Sequence, residues 1–408
     1  MTAAPTRTTA VVAGGQVAMN AAAYVFSLVA ARILIPADFG AVTALLSILQ
    51  MGVVASLGLQ AAAARRIAVA PDQRAETVGV VLRSTIFASL AVGAVAVALT
   101  PALVWALHLD SVWPALLCSA TLVPLTAMGG FLGIAQGWER WNVVTAVSLA
   151  NGFGRLVAGV VALLISPTVA SAMVGVAIGA WTPVVVGLAT LGFRSARTHA
   201  SRTPNAQGGH PSRRPVLREA LAGTHTLFAF YVLCNLDALI ARNRLDPHDA
   251  GLYAGGIILA KAALMAPSFV GVLLYPRFAT DDTAASLRLA VSVVAAVGLV
   301  ATVATAVLPR LALVLAGGAQ YAEIARHLWL FTLAGSVWSI VQVLVLDGLA
   351  RRSSGTTILI WFAVITLPAL VVITNVGAVG LILLVGMVGA ALSLVLSFAP
   401  RTSLASTP

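Results

Sequence analysis

Apolar runs of about 20 residues follow one another along this chain from Val11 to Phe398, and few charged residues interrupt them. A helix of that length spans about 30 Å, which is the thickness of the hydrocarbon core of a bilayer. Lipid offers no partners to backbone amides and carbonyls, so each run has to be a helix. With 60% hydrophobic and 9% charged residues, the chain leaves no room for a soluble domain. The sequence predicts an all-α polytopic membrane protein.

The spacing of these runs predicts about twelve transmembrane helices. Their expected bounds are Val11–Leu34, Gly40–Ala64, Val78–Thr100, Val112–Ala135, Trp141–Ile165, Val169–Phe193, Ala220–Ala241, Ala250–Tyr275, Ala285–Leu308, Ile324–Leu346, Thr356–Thr374 and Val376–Phe398. The segment Pro309–Tyr321 is too short to cross a bilayer, and both a re-entrant and an interfacial position stay open for it.

The positive charges predict the orientation. If the N-terminus is cytoplasmic, most of the 24 Lys and Arg residues fall in cytoplasmic loops, as the positive-inside rule requires. The net charge of +11 is then explained by basic residues in loops that set the orientation of the protein in the membrane, and we expect no nucleic-acid partner. We expect a multi-pass protein of the bacterial plasma (inner) membrane with both termini in the cytoplasm.

One long polar stretch, RSARTHASRTPNAQGGHPSRRPVLRE at 194–219, separates the sixth and seventh predicted spans. It divides the chain into an N-terminal six-helix lobe (1–193), a basic cytoplasmic linker (194–219) and a C-terminal six-helix lobe (220–408). Its composition is typical of a disordered linker. Binding to anionic lipids or to a partner stays open as a second role.

A short phrase occurs twice, as ARILIPADFG at Ala31–Gly40 and as ARNRLDPHDAG at Ala241–Gly251. In order, the first copy's Leu34, Pro36, Asp38 and Gly40 match the second copy's Leu245, Pro247, Asp249 and Gly251. Each copy ends the first span of a half, on the same predicted side of the membrane. The two halves are therefore predicted to be parallel repeats, an arrangement found in transporters.

Charged and amide side chains within the spans are the candidate site residues, because an arginine at the centre of a span costs about 2.5–3.5 kcal/mol. Arg155 and Lys261 lie deep in their spans, and Asp237 is the acidic residue nearest to that depth. The excess of positive charge favours a pyrophosphate ligand, which a guanidinium binds with two oxygens. An internal salt bridge from Arg155 or Lys261 to Asp237 is the alternative.

Amide side chains complete the candidate set. Asn20 belongs to a polar stripe of the first span, Asn151 precedes Arg155 by one helical turn, and Asn235 precedes Asp237 by two residues. Two residues are about 200° apart on an ideal helix, so Asn235 and Asp237 are not expected to face one cavity squarely. Polar stripes also serve helix packing, and both roles stay open. The scattered histidines predict no metal site, no cofactor and no nucleophile–base pair, so no enzyme is expected.

Two stretches carry a resemblance to a known family. The first is Asn20, Arg32, Leu34, Pro36, Phe39 and Gly40, followed by Gly58 and Arg65-Arg66; the second is NLDALIARNRLDPHDAGLYAGG at 235–256. Both resemble oligosaccharide flippases (polysaccharide biosynthesis proteins) of the multidrug, oligosaccharidyl-lipid and polysaccharide exporter superfamily. The resemblance implies two six-helix lobes around a central cavity, alternating access and a lipid-linked (polyprenyl-pyrophosphate) oligosaccharide as cargo.

We therefore expect a flippase for polysaccharide or cell-wall polymer export. The candidate substrate-binding residues are Arg155, Lys261, Asn20, Asn151 and Asn235, and no family motif supports the role of Arg155 or Lys261. Asp237 is the candidate site for a coupling ion, H+ or Na+. Expected partners are the lipid-linked saccharide, membrane lipids and polysaccharide-assembly proteins. The alternatives are a drug/cation antiporter of the same superfamily, which would prefer an acidic cavity, an intramembrane polymerase or acyltransferase, and a non-transporting scaffold.

Overall fold

A computed structural model describes residues 4–69, 74–191, 224–265, 283–351 and 354–398, and all of its regular elements there are helices. One is a 3-10 helix at Ala319–His327. The α-helices are α1 Ala4–Ile33, α2 Pro36–Val69, α3 Arg74–Ala98, α4 Thr100–Ala106, α5 Val112–Gly137, α6 Trp141–Ile165, α7 Val169–Thr190, α8 His225–Leu233, α9 Leu236–Arg244, α10 Pro247–Leu264, α11 Thr283–Val307, α12 Pro309–Ala316, α13 Leu328–Ala350, α14 Ser354–Thr374 and α15 Ala378–Phe398.

The prediction of an all-α multi-pass membrane protein is confirmed. Within the described residues, ten helical segments are long and apolar enough to cross a membrane, the 3-10 helix and α13 counting as one segment. The seventh and eighth predicted spans are not among them. The seventh is broken into α8 and α9, so the prediction of one continuous helix to Ala241 is wrong. The eighth begins with α10, and its predicted end beyond Met265 lies outside the described residues.

Capping residues explain why several helices begin where they do. Thr168 is the N-cap of α7, and its hydroxyl accepts a hydrogen bond from the Ser171 amide at 3.2 Å. Ser111 caps α5 in the same way, accepting from the Trp113 amide at 3.3 Å. Such caps satisfy amides that have no partner in the first helical turn. The predicted bounds of α6, Trp141–Ile165, agree with the structure at both ends.

The described residues form two compact units. Unit 1 contains those up to Ile33 and those between Leu45 and Leu227; unit 2 contains Leu34–Ala44 and those from Phe228 onward. The first turns of α2 thus belong to unit 2. The predicted linker at 194–219 lies outside the described residues, and the lobe boundaries at 193 and 220 stay a prediction.

In unit 1, α6 packs between α1 and α7 with glycines at the contacts. A Cβ at Gly152 would lie 2.8 Å from the Met19 Cα, and one at Gly159 would overlap the Phe26 ring. On the α7 side, a Cβ at Gly179 would lie 2.6 Å from the backbone nitrogen of Arg155. Small residues let helix backbones approach closely in membranes. These glycines therefore set the position of the α6 backbone around Arg155.

In unit 2, the two copies of the repeated phrase lie against each other. A Cβ at Gly40 would be 3.0 Å from the Gly251 nitrogen, and a Cβ at Gly251 would collide with the Pro36 carbonyl. The buried Arg242 guanidinium donates to the Ala37 carbonyl at 3.2 Å. Both glycines are required because each faces the backbone of the other copy. The repeated phrase thus forms a packed contact between two turns.

The rest of unit 2 is built around α10 and α13. Gly335 of α13 faces the carbonyl of Ala260, and Gly256 of α10 faces the Phe331 ring. The segment after α11 contains the short helix α12, then Gly317 and Gly318 with φ of 128° and 102°, then the 3-10 helix. Only glycine adopts such backbone angles without strain, which explains the abrupt end of α12.

Candidate functional site

Arg155 lies on α6 in unit 1, and its guanidinium is held by an aromatic ring. The guanidinium carbon is 5.2 Å from the centre of the fully buried Phe26 ring of α1. Its Nε atom is buried and has no hydrogen-bond partner among the described residues. Within unit 1, no described acidic side chain lies within ion-pairing distance of Arg155. The ring contact supplies modest cation–π stabilisation, but none of the described acidic side chains of unit 1 compensates the charge.

Asn151 and Asn20 lie on the two helices that hold Arg155. Asn151 is one turn before Arg155 on α6, and its amide nitrogen is 3.7 Å from the Met19 sulfur of α1. A thioether is a weak acceptor, so most of the hydrogen-bonding capacity of this amide is unused. Asn20 follows Met19 on α1 and is half-buried. The structure therefore groups Asn20, Asn151 and Arg155 on the facing helices α1 and α6.

The helix break between α8 and α9 positions the polar residues of unit 2. Asn235 sits at this break with φ −126° and ψ −3°, and its side chain does not cap α9. Its Nδ2 donates to the Tyr231 carbonyl at 2.9 Å instead. Asparagine competes with the helical backbone for such bonds, which explains why the helix ends here. The break leaves Oδ1 of Asn235 as an acceptor.

Lys261 of α10 uses that acceptor. Its ammonium donates to Oδ1 of Asn235 at 3.0 Å. Lys261 also lines a small cavity of about 30 Å³ in unit 2, together with Cys234, Asp237 and Trp338. A cavity of this size is sufficient for one water molecule or one small ion.

Asp237 lies in the first turn of α9 and is 8% exposed. Its Oδ2 accepts a hydrogen bond from the Tyr253 hydroxyl at 3.2 Å. Its Oδ1 is buried and has no hydrogen-bond partner among the described residues. Tyr253 is itself fully buried, and its ring packs edge-on against Phe331 at 5.1 Å between centroids. One carboxylate oxygen is thus fixed by a rigid donor, and the other is open.

The structure brings Asn235, Asp237 and Lys261 together in unit 2. Asp237 lines the cavity and Asn235 is not among its lining residues, which agrees with the expectation that the two do not face one cavity squarely. The ideal helix assumed for that expectation is, however, interrupted between Leu233 and Leu236. Tyr253 belongs to the stretch that carries the family resemblance, but its contact with Asp237 was not predicted, and Phe26 was missed altogether, since no fixed spacing connects either residue to the charge it contacts. Among the described residues, no group of histidine, cysteine and acidic side chains is arranged to hold a metal ion.

Comparisons with known proteins agree with this architecture. The chain matches the model of the family described as polysaccharide biosynthesis protein over residues 6–280. No curated protein matches its sequence. Among solved structures, it is similar to an inward-facing multidrug resistance MATE family transporter of the MOP superfamily, with TM-score 0.70 and 11% identity over 93% of this chain and 92% of that one.

Two further structures have the same fold. The lipid II flippase MurJ in an inward closed conformation gives TM-score 0.68 at 12% identity over 95% of this chain and 87% of that one. The Vibrio cholerae MATE transporter VcmN in the bent form gives TM-score 0.60 at 14% identity over 96% of this chain and 95% of that one. Identities this low show the fold alone. The family match spans well over half of the sequence, and the chain therefore belongs to the polysaccharide biosynthesis protein family.

Proposed function

We propose that the protein flips a polyprenyl-pyrophosphate-linked oligosaccharide outward across the bacterial plasma membrane by alternating access. The exported product is a polysaccharide or a cell-wall polymer, and polysaccharide-assembly proteins are its partners in the cell. Family membership and the fold shared with the lipid II flippase MurJ support transport of this class of cargo. The observation that carries the proposal is the guanidinium of Arg155, a positive charge within a span that has no acidic partner among the described residues of its unit.

The surroundings of Arg155 suit a pyrophosphate. The guanidinium carbon lies 5.2 Å from the centre of the Phe26 ring, and its buried Nε has no hydrogen-bond partner among the described residues, so a phosphate oxygen would supply a missing acceptor. The planar fork of an arginine binds two phosphate oxygens at once, which an ammonium does not. Asn151 lies four residues earlier and thus on the same helix face, where its amide is an additional donor. We assign Arg155, Asn151 and Asn20 to the headgroup site in unit 1.

Unit 2 supplies the coupling site in this proposal. Asp237 combines a buried carboxylate with an adjoining cavity, which suits the binding and release of a small cation such as H+ or Na+. Intramembrane carboxylates of this kind mark ion pathways in transporters. Lys261 and Asn235, first considered as headgroup ligands, are assigned to this site because they bond to each other there.

A drug/cation antiporter is the second candidate function. It is favoured by the likeness to MATE transporters and by the buried Asp237, which an organic cation would need as a counterion. The two functions predict opposite roles for Arg155. A pyrophosphate requires its positive charge, whereas a cationic drug is repelled by it.

Export assays on Arg155 variants test the proposal. In cells that lack the native copy, Arg155→Ala should abolish surface polysaccharide at near-normal protein abundance. Arg155→Lys should restore only part of it, because a point charge lacks the bidentate geometry. Arg140→Ala is the matched control, since Arg140 also lies over an aromatic ring, at 4.9 Å from the Trp138 centroid, but is exposed in a loop.

The same cells separate the two candidate functions. If the proposal is right, deleting the protein removes surface polysaccharide and leaves resistance to cationic drugs unchanged. Loss of drug resistance with normal polysaccharide would support the antiporter instead. Normal export by Arg155→Ala, or an equal loss in Arg140→Ala, would contradict the role of Arg155.

A further inference from the structure

The polar cluster of unit 2 contains both a place for a small cation and a cation of its own. Asp237 offers a buried carboxylate oxygen without a hydrogen-bond partner, beside a cavity that holds one water-sized particle. The side chain of Lys261 lines the same cavity, with its ammonium on Asn235. A flexible four-carbon stem lets an ammonium move between neighbouring acceptors.

We infer that Lys261 is a tethered cation, which takes the place of a sodium ion beside Asp237 and leaves the proton as the ion that unit 2 binds and releases. The inference deepens the proposed function and rests on it in treating this cluster as the coupling site. When Asp237 is charged, its open oxygen attracts the Lys261 ammonium. When a proton from water neutralises that carboxylate, the ammonium returns to Asn235.

The arrangement around the cavity supports exclusion of a metal ion. Sodium prefers several oxygen ligands, and a second cation beside an ammonium in a low-dielectric site is repelled. Among the described residues, Tyr253 of α10 donates to Asp237, and backbone amides at the start of α9 lie beside its carboxylate. Lys261 of α10 and Cys234 at the helix break line the same cavity. From α13 and α15 the cavity receives only apolar side chains and a glycine, including Trp338 and Ile382. Lys261 is therefore the charged neighbour that competes with an incoming cation there.

Removal of the tethered charge should uncover a sodium site. The experiment measures the Tm of purified full-length protein in NaCl, KCl and choline chloride at equal ionic strength. The wild type should show the same Tm in all three salts. Lys261→Met keeps the length of the side chain without its charge, and its Tm should rise by several degrees in NaCl relative to choline chloride. Ligands that bind only the folded state raise Tm in this way.

Two further variants make the result specific. Lys261→Arg retains a tethered charge and should stay insensitive to sodium. The double variant Lys261→Met/Asp237→Asn is uncharged and should lose the sodium effect. If Lys261→Met cannot be isolated, Lys261→Gln replaces it, with an amide that still bonds to Asn235.

The outcomes decide between the alternatives. A sodium-dependent Tm in the wild type would overturn the inference, because sodium would then bind with the lysine in place. It would also be overturned if neither Lys261→Met nor Lys261→Gln responds to sodium. The same holds if neither of these two variants can be isolated in NaCl while the double variant Lys261→Met/Asp237→Asn can. None of these measurements requires cargo, so an error in the proposed cargo would leave them unchanged and would appear only in the export assays.

Discussion

The two span-embedded cations have opposite surroundings. Lys261 in unit 2 donates to the Asn235 amide and shares a cavity with the Asp237 carboxylate. Arg155 in unit 1 lies over the Phe26 ring, and its buried Nε has no partner among the described residues. Lys261 thus has a carboxylate nearby in its own unit, whereas Arg155 has none among the described residues of unit 1. This difference is why we assign Lys261 to the internal electrostatics of unit 2 and propose Arg155 as the residue that binds an anionic ligand.

The largest expected effect is on the stability of unit 2. Lys261→Met removes the cation that donates to Asn235 and shares a cavity with the buried Asp237 carboxylate. Loss of one member of a direct buried ion pair costs about 3–5 kcal/mol, and we expect a loss up to that size here. Arg155→Met removes a charge that no described acidic side chain of unit 1 compensates, and it should lower stability far less. Thermal unfolding in choline chloride measures both. The double variant Lys261→Met/Asp237→Asn should recover most of the lost stability. Equal destabilisation by Lys261→Met and Arg155→Met would contradict the difference between the two units.

A second comparison tests whether Arg155 and Asp237 neutralise each other. In that alternative, Arg155→Ala and Asp237→Ala are each unstable, and the double variant recovers both protein abundance and export. We expect Arg155→Ala to be abundant but inactive, and the double variant to be inactive as well. Surface polysaccharide and protein level in the three strains give the answer. Recovery of both in the double variant would make Arg155 a structural residue.

Glycine substitutions should perturb the two regions through packing. Gly179→Ala pushes α7 against the backbone of Arg155, and Gly335→Ala pushes α13 against the Ala260 carbonyl beside Lys261. Overpacking of this kind costs typically about 1–3 kcal/mol. Gly79 of α3 has nothing within 4 Å of an added Cβ, so Gly79→Ala is the control and should be neutral or stabilising. Thermal unfolding of the three variants measures the loss of stability in each. A loss in Gly79→Ala as large as that in Gly179→Ala and Gly335→Ala would contradict the packing explanation.

The smallest effect concerns the turn before α10. Asp246 accepts from the amides of Asp249 and His248, and these bonds hold the pKa of its carboxyl below the ordinary value. An aspartate in the unfolded chain has a pKa of about 3.9. Because folding lowers the pKa of Asp246, its ionised carboxylate stabilises the folded protein above that pH. This stabilisation is lost as the pH falls through the pKa of Asp246 in the folded state. Asp246→Ala should cost about 1 kcal/mol at neutral pH.

The pH dependence of that variant is the check. The difference in Tm between wild type and Asp246→Ala should be constant from neutral pH down to about pH 5 and shrink at lower pH. Asp110→Ala serves as a control in a different loop. A difference that grows as the solution becomes more acidic would show that the N-cap carboxylate is not the cause.

Periodicity and charge were sufficient to predict the membrane fold. Trp141–Ile165 was predicted to the residue because an apolar run of span length has one stable conformation in lipid. The break at Cys234 and Asn235 was not predicted, since it depends on the hydrogen bonds that the Asn235 side chain makes to the Tyr231 carbonyl and the Lys261 ammonium. Tyr253 and Phe26 were missed for a similar reason. Their roles arise from tertiary contacts between separate helices, and no local pattern encodes those contacts.

Binding of a lipid pyrophosphate to purified protein tests the central claim most directly. Undecaprenyl pyrophosphate is titrated into wild type, Arg155→Lys, Arg155→Ala and the Arg140→Ala control in detergent, with undecaprenol as the uncharged comparison lipid. The account predicts that wild type and Arg140→Ala bind the pyrophosphate better than the alcohol, that Arg155→Lys keeps part of this preference and that Arg155→Ala loses it. An equal preference for the pyrophosphate in Arg155→Ala and wild type would contradict the account.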